Sequence, residues 1–276
     1  MIRSALYVPG DQPGKLAKAL DRGADALIVD LEDAVLPAHK DAARTAVAEW
    51  LRGVEPGGPE IYVRVNPGEP GHEDLRAVAV PGVRGVCVAK TESAAELEAV
   101  DGVLAEAEAA EGLPAGAIAV CPLLESAGAV LAAPEIARAP RVLRLQIGEA
   151  DLRAELGVEP GPDERELLWA RSQVVLASAA ARLAPPLAPI STDFRDLDAL
   201  RASTVALKRL GFRGRTCVHP AQVPVVNEVF TPAEEEIAQA RDLIARFEGA
   251  ETGVVTDARG RMVDEAIIRA ARRLLS

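Results

Sequence analysis

The stretch Ala117–Leu156 limits the fold more than any other part of the chain. It holds two apolar runs of strand length, Ala117–Leu124 and Arg141–Ile147, and each ends in a carboxylate followed by helix-like sequence. Glu125 follows the first run; Glu149 and Asp151 follow the second. In α/β proteins, chemistry gathers just past the carboxyl ends of parallel strands. Two carboxylates from neighbouring strand ends make a hard oxygen site suited to Mg²⁺, with positions open for a substrate. Acids also cap helices and offset the helix dipole, so the residues alone leave both readings open for Glu125 and Asp151.

The pattern of this stretch recurs along the chain. Strands are expected at Arg3–Val8, Ala26–Leu31, Ile61–Val65, Gly85–Ala89, Ala117–Leu124, Arg141–Ile147, Leu187–Ser191 and Arg215–Val218. Helical periodicity falls between most of them, as in Ala42, Ala43, Ala46, Val47 and Trp50. Ser93 with Glu96 forms a capping-box signal, and Gly211 stops the helix of Leu197–Leu210. Eight strands alternating with helices predict an α/β fold, a (β/α)₈ TIM barrel. The rival, an open doubly wound sheet, lacks support: no G-x-G-x-x-G follows a strand and no G-x-x-x-x-G-K-[ST] occurs. Residues 1–230 are assigned to the barrel and 231–276 to a C-terminal helical extension. In the extension, Thr231-Pro232 opens one helix, a hairpin-like piece spans Gly253–Val263 and an amphipathic helix ends the chain.

Composition excludes several classes. With 276 residues and 49% apolar content, the chain has enough for a large core. No apolar run reaches the roughly 18 residues of a membrane span, and no secretory leader is recognisable, so no membrane role and a cytoplasmic location are expected. A net charge of −11 argues against nucleic acid as a partner. Cys87, Cys121 and Cys217 each lie in an apolar run and read as small buried hydrophobes.

The motifs LYVPGDQPGKLAKAL, ALIVDLEDAV followed by His39-Lys40 and Arg44, YVRVN, VAKTES, LLESA, IGEADLRAELG, CVHPAQ and GRMVDEAI run in order through nearly the whole chain. In them the chain resembles the citrate lyase β-subunit-like branch of the HpcH/HpaI aldolase superfamily. The resemblance implies a (β/α)₈ barrel, commonly a trimer. The implied activity cleaves or forms a carbon–carbon bond in a 3-hydroxy acyl thioester of the citryl, malyl or citramalyl type. The carrier is coenzyme A or an acyl-carrier protein. Two alternatives stand beside it: the β subunit of a citrate lyase complex, and a malyl-CoA thioesterase.

The resemblance also implies site residues. Glu125 and Asp151 would hold Mg²⁺, and Arg64 would reach the substrate carboxylate and the thioester oxygen. Glu32 and Asp33 would form an acidic layer beneath the metal. Lys15, Lys40 and Arg44 would meet the phosphates of coenzyme A. Asp264, contributed by a neighbouring subunit whose extension covers the site, would be the catalytic acid/base. The residues by themselves permit plainer roles. Asp264 suits an N-cap, Lys40 and Arg44 suit a solvated helix stripe, and Lys90 suits a structural pairing with an acid. His219 suits a structural hydrogen bonder, and Glu149 is an alternative ligand to Asp151.

Overall fold

The computed structural model describes residues 1–250, 254–257 and 260–275. Its first compact unit is Ile2–Glu228. Parallel strands alternate there with helices: β1 (Ser4–Pro9), α1 (Pro13–Ala19), β2 (Ala26–Asp30), α2 (Lys40–Arg52), β3 (Glu60–Val65), α3 (Gly68–Val78), β4 (Val83–Val88), α4 (Ala94–Ala110) and β5 (Ala119–Leu124). The short helices α5 (Ala127–Leu131) and α6 (Ala133–Ile136) precede β6 (Gln146–Ile147). Then come α7 (Glu149–Leu156), α8 (Leu168–Ala180), α9 (Leu197–Leu210), β7 (Arg215–Cys217) and α10 (Gln222–Phe230).

The seven strands form one curled parallel sheet in the order β6-β5-β4-β3-β2-β1-β7. Each helix returns the chain to the next strand, as parallel pairing requires. Helices cover one face and the curl encloses the other, so β2 (ALIVD) is buried along its whole length. Leu27 and Val29 alternate with Ala26 and Ile28, and the latter two join Tyr62, Cys87 and Cys121 in a core cluster on the inner face. Leu27, Leu75, Leu97 and Leu104 are nearly inaccessible, and each such side chain contributes about 2 kcal/mol of burial. All three cysteines are free and buried, as expected of small hydrophobes.

The eight-stranded barrel of the sequence reading is not what the described residues form. The expected strand at Leu187–Ser191 shrinks to one parallel bridge, Ala188 with Arg215. Pro185, Pro186 and Pro189 carry no N–H to extend the ladder. The expected run Arg141–Ile147 keeps two strand residues and one bridge, Val142 with Val120. Its first residue, Arg141, has φ 61° and is turned into a cluster with Asp101 and Glu108. A curled half-barrel is therefore shown.

Helix α3 was not anticipated, because GEPGHEDLRAV puts Gly and Pro in its first turns. Gly71 explains one of them: a Cβ there would lie 1.9 Å from the Asn66 carbonyl oxygen. Ser93 caps α4 by accepting the Glu96 N–H, as its spacing predicts.

The second unit runs from Val229 onward. Helix α11 (Glu234–Glu248) packs against α12 (Glu265–Leu275), with Arg272 and Glu248 paired at 3.1 Å. Strands β8 (Val255–Thr256) and β9 (Met262–Val263) pair antiparallel. Gly253, Ala258 and Arg259 of the expected hairpin lie outside the described residues.

Candidate active site

A cavity of about 420 Å³ opens at the carboxyl end of the sheet, with Arg64, Glu125, Gln146 and Asp151 among its walls. Strand register assembles it. Asp30, the last residue of β2, is the direct partner of Arg64 on β3. The Arg64 guanidinium donates to both Asp30 oxygens, at 2.8 Å and 2.5 Å. It also lies 3.1 Å from Glu32 and 3.5 Å from Asp33, and over the Tyr7 ring at 5.2 Å. Burial alone would lower the Arg64 pKa. The Asp30 pairing outweighs it and pushes the value up, so the side chain is a fixed permanent cation.

Glu32 is buried and accepts from the Lys90 ammonium and pairs with Arg64. Its desolvation raises its pKa despite these cations. Asp33 is exposed, and its own desolvation is outweighed by the Glu32 contact and by Arg64 and Lys90, which hold it below the ordinary value. Lys90 thus pairs with acids, as its plainer reading suggested. It does more, because its backbone N–H, with φ 51° just past β4, donates to Glu125 Oε2 at 2.9 Å.

Glu125 follows β5 and is 6% exposed. Desolvation is the main cause that pushes its carboxyl up to about 7, and the negative charge of Asp151 adds to it. Gly148 makes room for it: a Cβ there would stand 2.5 Å from Glu125 Oε1. Asp151 is exposed in the first turn of α7. Glu149, the alternative ligand, donates nothing to the cavity's charge that is unspent, because Arg171 binds both its oxygens at 2.6 Å and 2.7 Å. Among the described residues no cluster of three or more His, Cys, Asp or Glu side chains is arranged for a metal. Two carboxylates, one of them raised by desolvation and by its neighbour's charge, fit Mg²⁺, which uses one or two protein carboxylates and fills its other positions with water or substrate.

The remaining expected residues lie elsewhere or are otherwise engaged. Lys40 donates to the carbonyls of Leu31 and Glu32 and to Asn66. Arg44 binds Asp74 at 2.7 Å, and Asp74 in turn accepts from the Asn66 amide. These two cations are tied into a network behind the site and are not a solvated stripe. Lys15 is exposed on α1. Asp264 belongs to the second unit and caps α12 there, accepting from Ala266 and Ile267 at 3.0 Å and 3.2 Å. His219 is exposed, stacks on Phe194 at 4.7 Å and accepts from the Ala221 N–H.

Sequence reading missed Asp30 and Gln146. Asp30 ends an otherwise apolar strand, and that polar terminus is a signal available in the sequence. Gln146 lies buried in the apolar run LRLQI, where an amide needs a reason.

The family profile described as HpcH/HpaI aldolase/citrate lyase matches residues 3–220. The citrate lyase subunit beta of Leuconostoc mesenteroides subsp. cremoris is 33% identical over 99% of this chain and 92% of its own length. A (3S)-malyl-CoA thioesterase of Cereibacter sphaeroides is 37% identical over 99% of this chain and 93% of its own length. Among solved structures, protein CitE of Mycobacterium tuberculosis, in complex with magnesium, acetoacetate and coenzyme A, superposes with a TM-score of 0.79. It is 30% identical, over 99% of this chain and 96% of that one. With the family profile spanning the whole first unit but its last residues, and with relatives aligned over nearly their full length, the chain belongs to the HpcH/HpaI aldolase/citrate lyase family and is an enzyme of this lyase family.

Proposed function

We propose that this protein is a Mg²⁺-dependent carbon–carbon lyase. Its substrate is a 3-hydroxy acyl thioester that carries a further carboxylate, of the citryl-, malyl- or citramalyl-CoA type, and its products are an acetyl thioester and an oxo acid. One observation carries the reading: Arg64, Glu125 and Asp151 converge on a single cavity at the carboxyl end of the sheet. CitE of M. tuberculosis, similar over nearly its whole length, was solved with magnesium, acetoacetate and coenzyme A.

In this reading Glu125 and Asp151 hold the metal. The chemistry a bound Mg²⁺ supplies is Lewis-acid stabilisation of negative charge on the oxygens of the oxo-acid half. Cleavage breaks the bond between the thioester α-carbon and the hydroxyl-bearing carbon. The hydroxyl gives its proton to solvent water and becomes the oxo acid's carbonyl, while the electron pair of the broken bond passes to the thioester as an enolate. Arg64, anchored by Asp30, offers its remaining donor face to the carboxylate or to the enolate oxygen, and one such preorganised donor is worth about 3 kcal/mol. Glu32 holds Lys90 and Arg64 in place, so the two cations keep their positions as charge moves. The Asp264 carboxyl of a neighbouring copy protonates the enolate carbon, with residues 231–276 of that copy covering the pocket. A trimer, Asp33 and Lys15 at the coenzyme A side, and a cytoplasmic location complete the proposal; Lys40 and Arg44, bound to Asn66 and Asp74, brace that side from behind. No described helix is long and apolar enough to cross a membrane.

Two other outcomes are favoured by particular relatives. The thioesterase at 37% identity supports hydrolysis of a malyl thioester at the same site. The Leuconostoc subunit supports action on citryl bound to an acyl-carrier protein. A mass-spectrometric assay separates them. Purified protein with Mg²⁺ receives citramalyl-, malyl- and citryl-CoA and citryl-acyl-carrier protein, beside Asp151→Ala and Asp264→Asn. Acetyl-CoA with an oxo acid, lost in both variants, is the expected result. Free thiol without oxo acid identifies the thioesterase, and turnover only on a carrier protein identifies the complex subunit. Full activity in Asp151→Ala overturns the metal assignment.

A further inference from the structure

Beneath the catalytic cavity the core cluster on the sheet's inner face lines a second, narrow space of about 10 Å³. Its walls include Ile2, Ile28, Tyr62, Cys121, Arg144 and Gln146. Two of these side chains carry a buried polar atom with no hydrogen-bond partner: Arg144 Nε, a donor, and Gln146 Oε1, an acceptor. They are two residues apart on one extended segment, the spacing at which side chains share a face. Gln146 is 4% exposed and also lines the catalytic cavity above.

An unpaired buried donor and an unpaired buried acceptor each cost about 1–3 kcal/mol, and native proteins rarely leave such atoms orphaned. Here both residues line one narrow space, so one occupant can satisfy both atoms. The space is at the lower limit for a single water molecule and holds nothing larger. A cation is excluded by the Arg144 charge, and an anion by the Gln146 oxygen. Water alone, among species of that size, accepts from Nε and donates to Oε1 at once. We propose that one buried water, bridging Arg144 Nε and Gln146 Oε1, is a built-in ligand of this fold. It fixes the Gln146 amide with its oxygen downward, and so sets the floor of the catalytic cavity. The inference does not depend on which reaction the cavity catalyses.

A crystal structure of the full chain tests it directly. The expected result is a single isolated density peak within about 2.7–3.2 Å of both atoms. An empty space, or an amide turned so that its nitrogen faces the space, overturns it. A second measurement is thermal unfolding of Arg144→Met, Gln146→Leu and the double variant. A bridge predicts that both single variants lose Tm and that the double variant melts no lower than the weaker single, because it removes the water together with both of its partners. A double variant whose loss equals the sum of the two overturns the bridge.

Discussion

Replacing Glu125 by Gln should stabilise the metal-free protein at high pH and leave it nearly unchanged at low pH. The Glu125 carboxyl sits at about 7 in the folded protein against an ordinary value of 4.5. Below 4.5 it is protonated in both the folded and unfolded states and costs nothing. As the pH rises, the unfolded chain releases the proton first, and above 7 the folded protein must carry the charge in a desolvated place beside Asp151. Stability is therefore lost between about pH 4.5 and 7. At 1.36 kcal/mol per tenfold difference in proton affinity, the loss reaches about 3 kcal/mol. The Gln variant keeps an acceptor for the Lys90 N–H and carries no charge, so it escapes that loss. Urea unfolding in EDTA at pH 5 and pH 8 gives the two differences. The variant should exceed the wild type by about 3 kcal/mol at pH 8 and by about 0.8 kcal/mol at pH 5. Added Mg²⁺ should then raise the wild type and not the variant. Equal effects at the two pH values would refute the desolvation argument.

Three further outcomes follow from single contacts. Arg64→Lys replaces the fork that grips both Asp30 oxygens with a point charge, and kcat/KM should fall at least about 100-fold in steady-state kinetics while the circular dichroism spectrum is kept. Gly148→Ala drives a methyl into the Glu125 carboxylate, so Mg²⁺ affinity measured by calorimetry should weaken about 10- to 100-fold. Arg171→Met leaves Glu149 half-buried without its bidentate partner and should cost about 3–5 kcal/mol in chemical denaturation. An Arg171→Met loss under 1 kcal/mol would show that Glu149 finds water instead.

Most of the secondary structure was legible because it is local. Apolar strand runs with polar residues just past their ends, the Ser93 cap and the Gly211 stop are written in neighbouring residues. The strand starts of β1 to β5 lie within two residues of expectation for this reason. Elements whose formation depends on distant partners were not legible. Helix α3 begins with residues that discourage helices and persists because Leu75 and Val78 are buried and Asp74 holds Asn66 and Arg44. The run at Arg141–Ile147 reads as a full strand, yet Arg141 is drawn to Asp101 and Glu108 on α4 and the ladder starts late.

The site divides in the same way. Sequence by itself determined which residue types stand at which strand ends: Glu32 and Asp33, Arg64, Glu125, Glu149 and Asp151. Only the tertiary structure decided how they are used. Register set Asp30 against Arg64, and packing set Gly148 beneath Glu125. Glu149 was drawn to Arg171, which leaves Asp151 as the exposed acid, and Lys40 and Arg44 were drawn inward to Asn66 and Asp74. The physical reason is that a charge's role depends on its nearest countercharge and its distance from water. In this chain those neighbours lie 22 to 58 residues away along the sequence. Local pattern sets a strand's end, but long-range pairing decides which acid there remains uncompensated.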